Sequence, residues 1–187
     1  EPQPDDKIID PACGSGGFLV EALRHVWRAV DERGKALDWP DIEIHSEKQK
    51  VAIDKFRGID KDAFLSKVAK SYMAILGDGR GGVFCENSLE LPKRWVRKAR
   101  ESVQMGSFDV VITNPPFGKK LAIESEEVLK TFDLGHEWKS EKDGSFTKGG
   151  ILDKQPPQIL FIERCLDLLR DGGRMGIVLL ESIFGMP

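Results

Sequence analysis

Asn114-Pro115-Pro116-Phe117 sets an amide side chain, two residues without a backbone donor and an aromatic ring in direct succession, just after the apolar run Phe108 to Ile112. Proline cannot continue a hydrogen-bonded ladder, so the run reads as a buried strand that stops at Asn114. Pro115 also biases Asn114 toward extended geometry. The amide, the proline carbonyl and the ring are then held together at the carboxyl end of a strand, the edge where open α/β sheets bind their ligands. Such a corner suits methylation of an exocyclic amine. That nitrogen is a poor nucleophile while its lone pair is delocalised, and it gains positive charge as it attacks a sulfonium methyl. The Asn114 side-chain oxygen and the Pro115 carbonyl would stabilise this charge more in the transition state than in the ground state, and Phe117 would stack on the ring bearing the amine. Alone, the four residues also fit a strand end with a Pro-Pro turn and a core phenylalanine.

A second group of residues narrows the chemistry. Lys7-Ile8-Ile9-Asp10 is a short strand, followed by Pro11-Ala12-Cys13-Gly14-Ser15-Gly16-Gly17 and a helix with apolar residues at Phe18, Leu19, Ala22, Leu23, Val26, Trp27 and Val30. Strand, glycine turn and helix in this order aim backbone N–H groups and a helix N-terminus at a ligand. A P-loop would need a lysine after the glycines, and the dinucleotide fingerprint would need glycine where Leu19 stands. What remains is a carboxylate at a strand tip beside a glycine turn. Asp10 there suits an ammonium group or its bound water, as on the amino-acid part of S-adenosylmethionine; a tight turn without a ligand is the plainer alternative.

Asp10-Pro11-Ala12-Cys13-Gly14-Ser15-Gly16-Gly17-Phe18-Leu19 resembles the cofactor motif of the adenine-specific amino-methyltransferases of DNA, and Asn114-Pro115-Pro116-Phe117 resembles their catalytic motif. The two stand in the family's order, about a hundred residues apart. The resemblance is greatest to the modification (M) subunits of type I restriction-modification systems, and it spans nearly all of residues 7 to 185. It implies a Rossmann-like, S-adenosylmethionine-dependent methyltransferase fold, a three-layer α/β sandwich with a mostly parallel sheet in the order 3-2-1-4-5. It implies cofactor contacts from Asp10, Ala12, Cys13, Gly14 and Gly16 at the first turn, from Asp60 and Lys61 at the second strand tip, from Asn87 and Ser88 at the third, and from Asn114. Catalysis falls to Asn114, Pro115, Pro116 and Phe117. The family most often carries aspartate where this chain has Asn87, so charge assistance to the cofactor's adenine amine is lost there. The implied substrate is adenine flipped out of duplex DNA. The implied partners are a specificity (S) subunit and a restriction (R) subunit, with no metal, no membrane and no covalent enzyme intermediate. Two alternatives stay open: the same chemistry on a protein glutamine or an RNA base amine, where tyrosine usually replaces Phe117, and a non-catalytic DNA-binding or assembly subunit that keeps the fold.

The remaining elements must position these groups. Residues 35–54 are polar and charged without a clear period, and read as an insertion loop marked by Pro40. Phe56-Arg57-Gly58-Ile59-Asp60 is a second strand, with Asp60 expected on ribose hydroxyls or, alternatively, capping the helix Lys61 to Leu76. Asp60 lies 43 residues after Gly17, against the usual spacing of about 20, and the insertion accounts for the excess. That helix should close at Gly77-Asp78-Gly79. Gly82 to Leu89 is a third strand and its tip, and after Pro92 comes a basic helix with Lys93, Arg94, Arg97, Lys98 and Arg100, read as a solvated face. Residues 118–155 read as a long loop leaving the catalytic corner, able to move over a flipped base or meet a partner. Pro156-Pro157 opens an apolar helix, Ile159 to Leu169, stopped by Gly172-Gly173. Arg174 to Leu180 is a fifth strand, buried by its composition, and Glu181 to Phe184 its exit.

The chain has 187 residues, 40% of them hydrophobic, enough for a single catalytic domain over residues 1–187. With 28 Lys and Arg against 31 Asp and Glu, the net charge is −3. Affinity for nucleic acid must therefore come from a local patch or a partner. Cys13, Cys85 and Cys165 lie far apart, as do His25, His45 and His136, so neither a disulfide frame nor a metal cluster is expected. No apolar run approaches the roughly 20 residues of a membrane span, and a cytoplasmic location is expected. Both ends, Glu1 and Phe184-Gly185-Met186-Pro187, stand close to core strands, as they would in part of a longer polypeptide.

Overall fold

The computed structural model describes residues 1–77, 81–118 and 121–185; Asp78 and Gly79 of the expected helix stop, and Met186-Pro187, lie outside these. Five strands form one parallel sheet in the order β3-β2-β1-β4-β7. They are β1 (Ile8–Asp10), β2 (Phe56–Asp60), β3 (Val83–Cys85), β4 (Phe108–Thr113) and β7 (Leu169–Ile177). With β7 as the fifth strand of the sheet, this is the 3-2-1-4-5 order expected. Successive side chains of a strand point to opposite faces, and β1 divides accordingly. Ile8 joins one core with α1 (Gly17–Ala36), α2 (Asp41–Lys55) and α3 (Ala63–Leu76). Ile9 joins another with Ala99 of α4 (Arg97–Ser102) and with Cys165 and Leu168 of α6 (Pro157–Leu168). Helices on both faces of a parallel sheet complete the three layers.

Residues 41–55, taken from sequence as loop, form α2. Pro40 is its N-cap, and Asp41 and Glu43 occupy its first turn, where acidic groups favour a helix start. The helix escapes notice because its buried residues are only Val51 and Ala52, so no apolar stripe marks it. The stretch 118–155, expected as a long loop, holds the helical turn α5 (Glu126–Leu129) and the antiparallel hairpin β5 (His136–Ser140) and β6 (Phe146–Ile151). An isolated bridge from Ile123 to Gln155 closes its base, with reciprocal N–H···O bonds of 2.8 and 3.0 Å. The strands were missed because they are polar and largely exposed, without apolar alternation. The basic segment after Pro92 divides into a 3₁₀ turn, Pro92–Arg94, and the short α4.

The fifth strand is not buried as its composition suggested. β7 begins at Leu169, runs to Ile177, and is mostly exposed, with β4 as its one neighbour among the described residues. Val178 and Leu180 lie beyond its end, each 42% exposed. An apolar run does not reveal whether a strand has one neighbour or two. Gly172-Gly173 likewise do not stop a helix, since α6 has ended at Leu168; they fall in the register shift of β7 between its pairings at Phe108 and Val110. Charge pairs tie the amino ends of the strands. The Asp109 carboxylate accepts from the Lys7 N–H at 2.7 Å and pairs with Arg170, and Arg174 pairs with Asp6. Burial works against ionisation of Asp109, but the Lys7 N–H, Arg170 and Lys55 outweigh it and hold its pKa below the usual range.

Candidate active site

The parallel register sets the carboxyl ends of β1, β2, β3 and β4 along one edge, and the expected site residues lie there. After Asp10 the chain turns through Gly14 at φ +53° and reaches Gly16 at φ +92°, the left-handed N-cap of α1. The turn is fastened to β2. Cys13 N–H donates to the Ile59 carbonyl at 2.9 Å, and Gly14 N–H donates to Asp60 Oδ2 at 2.8 Å. Two further glycine positions require close approach. A Cβ on Gly16 would stand 3.2 Å from the Ala69 Cβ of α3, and one on Gly58 would stand 2.7 Å from Leu19 Cδ1. A Cβ on Gly14 would meet nothing within 4 Å, so there the backbone faces open space.

Asp10 is 1% exposed. Ala12 N–H donates to its Oδ1 at 3.0 Å, and the Thr113 hydroxyl donates to the same oxygen at 2.7 Å. Burial above all, with Asp60 as a like-charged neighbour, pushes its pKa up to about 7 despite these bonds. Asp60 uses both oxygens, Oδ2 for Gly14 and Oδ1 for Asp62 N–H at 2.8 Å. It is therefore not the cap of α3. Asp62 caps that helix, accepting from Phe64 and Leu65 N–H. Asn87 Oδ1 accepts from Leu89 N–H at 3.1 Å, and its main-chain carbonyl accepts from Trp95 Nε1 at 2.9 Å. The buried Ser88 hydroxyl donates to the Pro11 carbonyl and fastens the third tip to the first turn. Burial, with the nearby Asp10 and Asp60 charges, raises the pKa of the Cys13 thiol, and burial pushes Cys165 up to about 12. Both stay protonated and pack as small core residues.

Two crevices open along this edge. The larger, about 890 Å³, is lined by Asp10, Cys13, Gly16, Gly17, Phe18 and Tyr72 among others. The smaller, about 340 Å³, is lined by Asp60, Lys61, Asn87, Ser88, Pro116 and Phe161 among others. Ala12, Gly14 and Asn114 line both, so the glycine turn and the amide corner share a wall. Asn114 and Pro116 are exposed, Pro115 is buried and Phe117 is half-buried. Phe117 lines neither crevice. Sequence reasoning missed Thr113, which joins the two motifs directly. It missed Leu121, Ile123 and Phe161 as crevice walls, since nothing in their neighbourhoods distinguishes them from ordinary core residues. Thr113 had one signal, a hydroxyl ending an otherwise apolar strand beside Asn114.

Among the described residues, no group of three or more His, Cys, Asp and Glu could hold a metal ion, and no helix is long and apolar enough to cross a membrane. The family model described as N-6 DNA Methylase matches residues 1–185. The chain is 26% identical to the type I restriction enzyme EcoEI methylase subunit of Escherichia coli, over 99% of its own length and 30% of that protein's. It is 23% identical to the StySPI methylase subunit of Salmonella potsdam, over 98% and 28% respectively. It thus spans less than a third of the length of these relatives. Its fold is similar to the crystal structure of the type I restriction enzyme EcoKI M protein, with a TM-score of 0.60 at 21% identity, covering 97% of this chain and 31% of that one.

Proposed function

The chain belongs to the N-6 DNA methylase family, and on that premise we propose that its paired crevices form an S-adenosylmethionine-dependent site for methylating the 6-amino nitrogen of adenine in DNA. The observation that carries this reading is the shared wall. Ala12 and Gly14 of the first turn and Asn114 of the amide corner line both crevices, so a donor at the turn and an acceptor amine at the corner would meet. The residues fit such a donor. A buried carboxylate, Asp10, borders the larger crevice and suits an ammonium group. Asp60, Asn87 and Ser88 border the smaller one and suit ribose and adenine. Gly14 leaves room for a ligand against the backbone. When bound, S-adenosylmethionine supplies an electrophilic methyl on a sulfonium.

The chain's own residues supply positioning and charge stabilisation. Asn114, exposed at the end of β4, would accept from the target amine through its side-chain oxygen. The Pro115 carbonyl would provide a second acceptor as the nitrogen becomes positive. Phe117, half-buried just beyond, would stack on the base. No protein nucleophile is called for. By its family resemblance the whole protein would act as a modification subunit on duplex DNA, with a specificity subunit and a restriction subunit as partners. The test is transfer of a labelled methyl group by the full-length protein and its specificity subunit to adenine-containing duplex DNA, with RNA and protein pools as controls. N6-methyladenine in DNA is the expected product. Label in RNA or protein alone would overturn the reading.

A further inference from the structure

Thr113 is fully buried, yet it is a threonine in a strand whose Val111, two residues back on the same face, is apolar core. A valine would fill the same volume without a hydroxyl to satisfy. That hydroxyl donates at 2.7 Å to Oδ1 of Asp10, 103 residues away in sequence. The Ala12 N–H meets the same oxygen, so both described bonds to this carboxylate fall on Oδ1 while Asp10 borders the larger crevice. Among the described residues, the titratable groups coupled electrostatically to Asp10 are Asp60 on β2, Cys13 in the first turn and Cys165 on α6. Each is anionic or neutral, and the Arg24 guanidinium that lines the same crevice is paired with Glu21 at 2.8 Å, so the carboxylate's charge is supported by hydrogen bonds and by whatever cation enters the crevice.

We propose that Thr113 is a positioning residue, whose hydroxyl holds Asp10 through Oδ1 so that Oδ2 is presented to the ammonium group of the cofactor, linking cofactor affinity to the strand that carries Asn114. This rests on the cofactor reading given above. The hydrogen bond favours the ionised carboxylate, and only that form attracts a cation. Cofactor affinity should therefore be full above the pKa of Asp10, about 7, and weaken as pH falls through it. Without the hydroxyl the carboxylate protonates at higher pH, and the weakening starts earlier on the way down.

The experiment is calorimetric titration of the full-length protein with S-adenosylmethionine from about pH 5.5 to about pH 8.5. Parent, Thr113→Val and Thr113→Ser are compared, with Thr113→Ala in reserve should the valine variant not fold. The valine variant is expected to lose on the order of tenfold in affinity at neutral pH, with the onset of weakening about one pH unit higher. Thr113→Ser is expected to restore the parent profile. A valine or alanine variant with the parent's pH profile overturns the proposal, even if its melting temperature or overall affinity is lower, because that is the behaviour of a packing residue. Failure of the parent itself to bind at any pH would overturn the cofactor reading, and this inference with it.

Discussion

Replacing Asp10 by asparagine should make the folded chain more stable while weakening its cofactor affinity. Asp10 is 1% exposed, and burial with Asp60 lifts its pKa from the ordinary 3.8 to about 7. Between those values the folded chain retains a proton that the unfolded chain has released. Stability from this group is therefore greatest near pH 4, falls as pH rises toward about 7, and is level above. A lift of this size corresponds to roughly 4 kcal/mol, at about 1.4 kcal/mol per pH unit. Asparagine has the same shape, keeps an oxygen for the Thr113 and Ala12 donors, and brings no charge to desolvate. We expect Asp10→Asn to exceed the parent by roughly 2–4 kcal/mol at about pH 8, with the advantage gone near pH 4. Ligand-free denaturant unfolding at both pH values measures this as a shift in midpoint at constant slope. Calorimetry with S-adenosylmethionine should show affinity reduced by at least about tenfold, the loss expected for removing one charge-assisted partner. A variant less stable than the parent at about pH 8, or one differing equally at both pH values, would refute the reasoning.

Asn114→Ala should lower turnover by on the order of a hundredfold or more while changing cofactor affinity less; parent-like turnover in a methyl-transfer assay would remove Asn114 from catalysis. Phe117→Ala should weaken binding of DNA carrying a flipped or abasic-opposed target by roughly 1–3 kcal/mol, and equal binding by variant and parent would return Phe117 to packing. Asp60→Ala deprives Gly14 and Asp62 of their acceptors, so it should cost roughly 1–3 kcal/mol of stability and weaken the cofactor as well. Thermal unfolding and calorimetry separate the two effects: a lowered melting temperature with unchanged affinity would confine Asp60 to holding the turn.

Much of the architecture was readable along the chain because its causes are local. The apolar residues Leu19, Leu23, Val26 and Val30 recur at helical spacing and are buried in α1. Pro115 ends β4, which stops at Thr113, as a residue without a donor must. The failures share a cause as well. Hairpin β5-β6 is polar, and α2 buries only two residues, so their patterns carry little periodic signal. The exposure of β7 depends on which neighbours it has, and strand composition cannot report that.

For the candidate site, residue types and order drew attention to Asp10 and Asn114, because a carboxylate or amide at a strand tip beside a glycine or proline turn is a feature of adjacent residues, while Asn87 entered through the family resemblance and Asp60 as the acid at the second strand tip. The order of strands along the sheet brought those tips to one edge. Contacts between residues remote in sequence then fixed their hydrogen-bond partners: Asp60 to Gly14 across 46 positions, Thr113 to Asp10 across 103, and Ser88 to Pro11 across 77. Such bonds form only after parallel pairing has aligned separate strands, and the desolvation that lifts Asp10 exists only once the folded chain has closed around it. Sequence alone therefore identified which groups could act, while folding decided their partners and their charge.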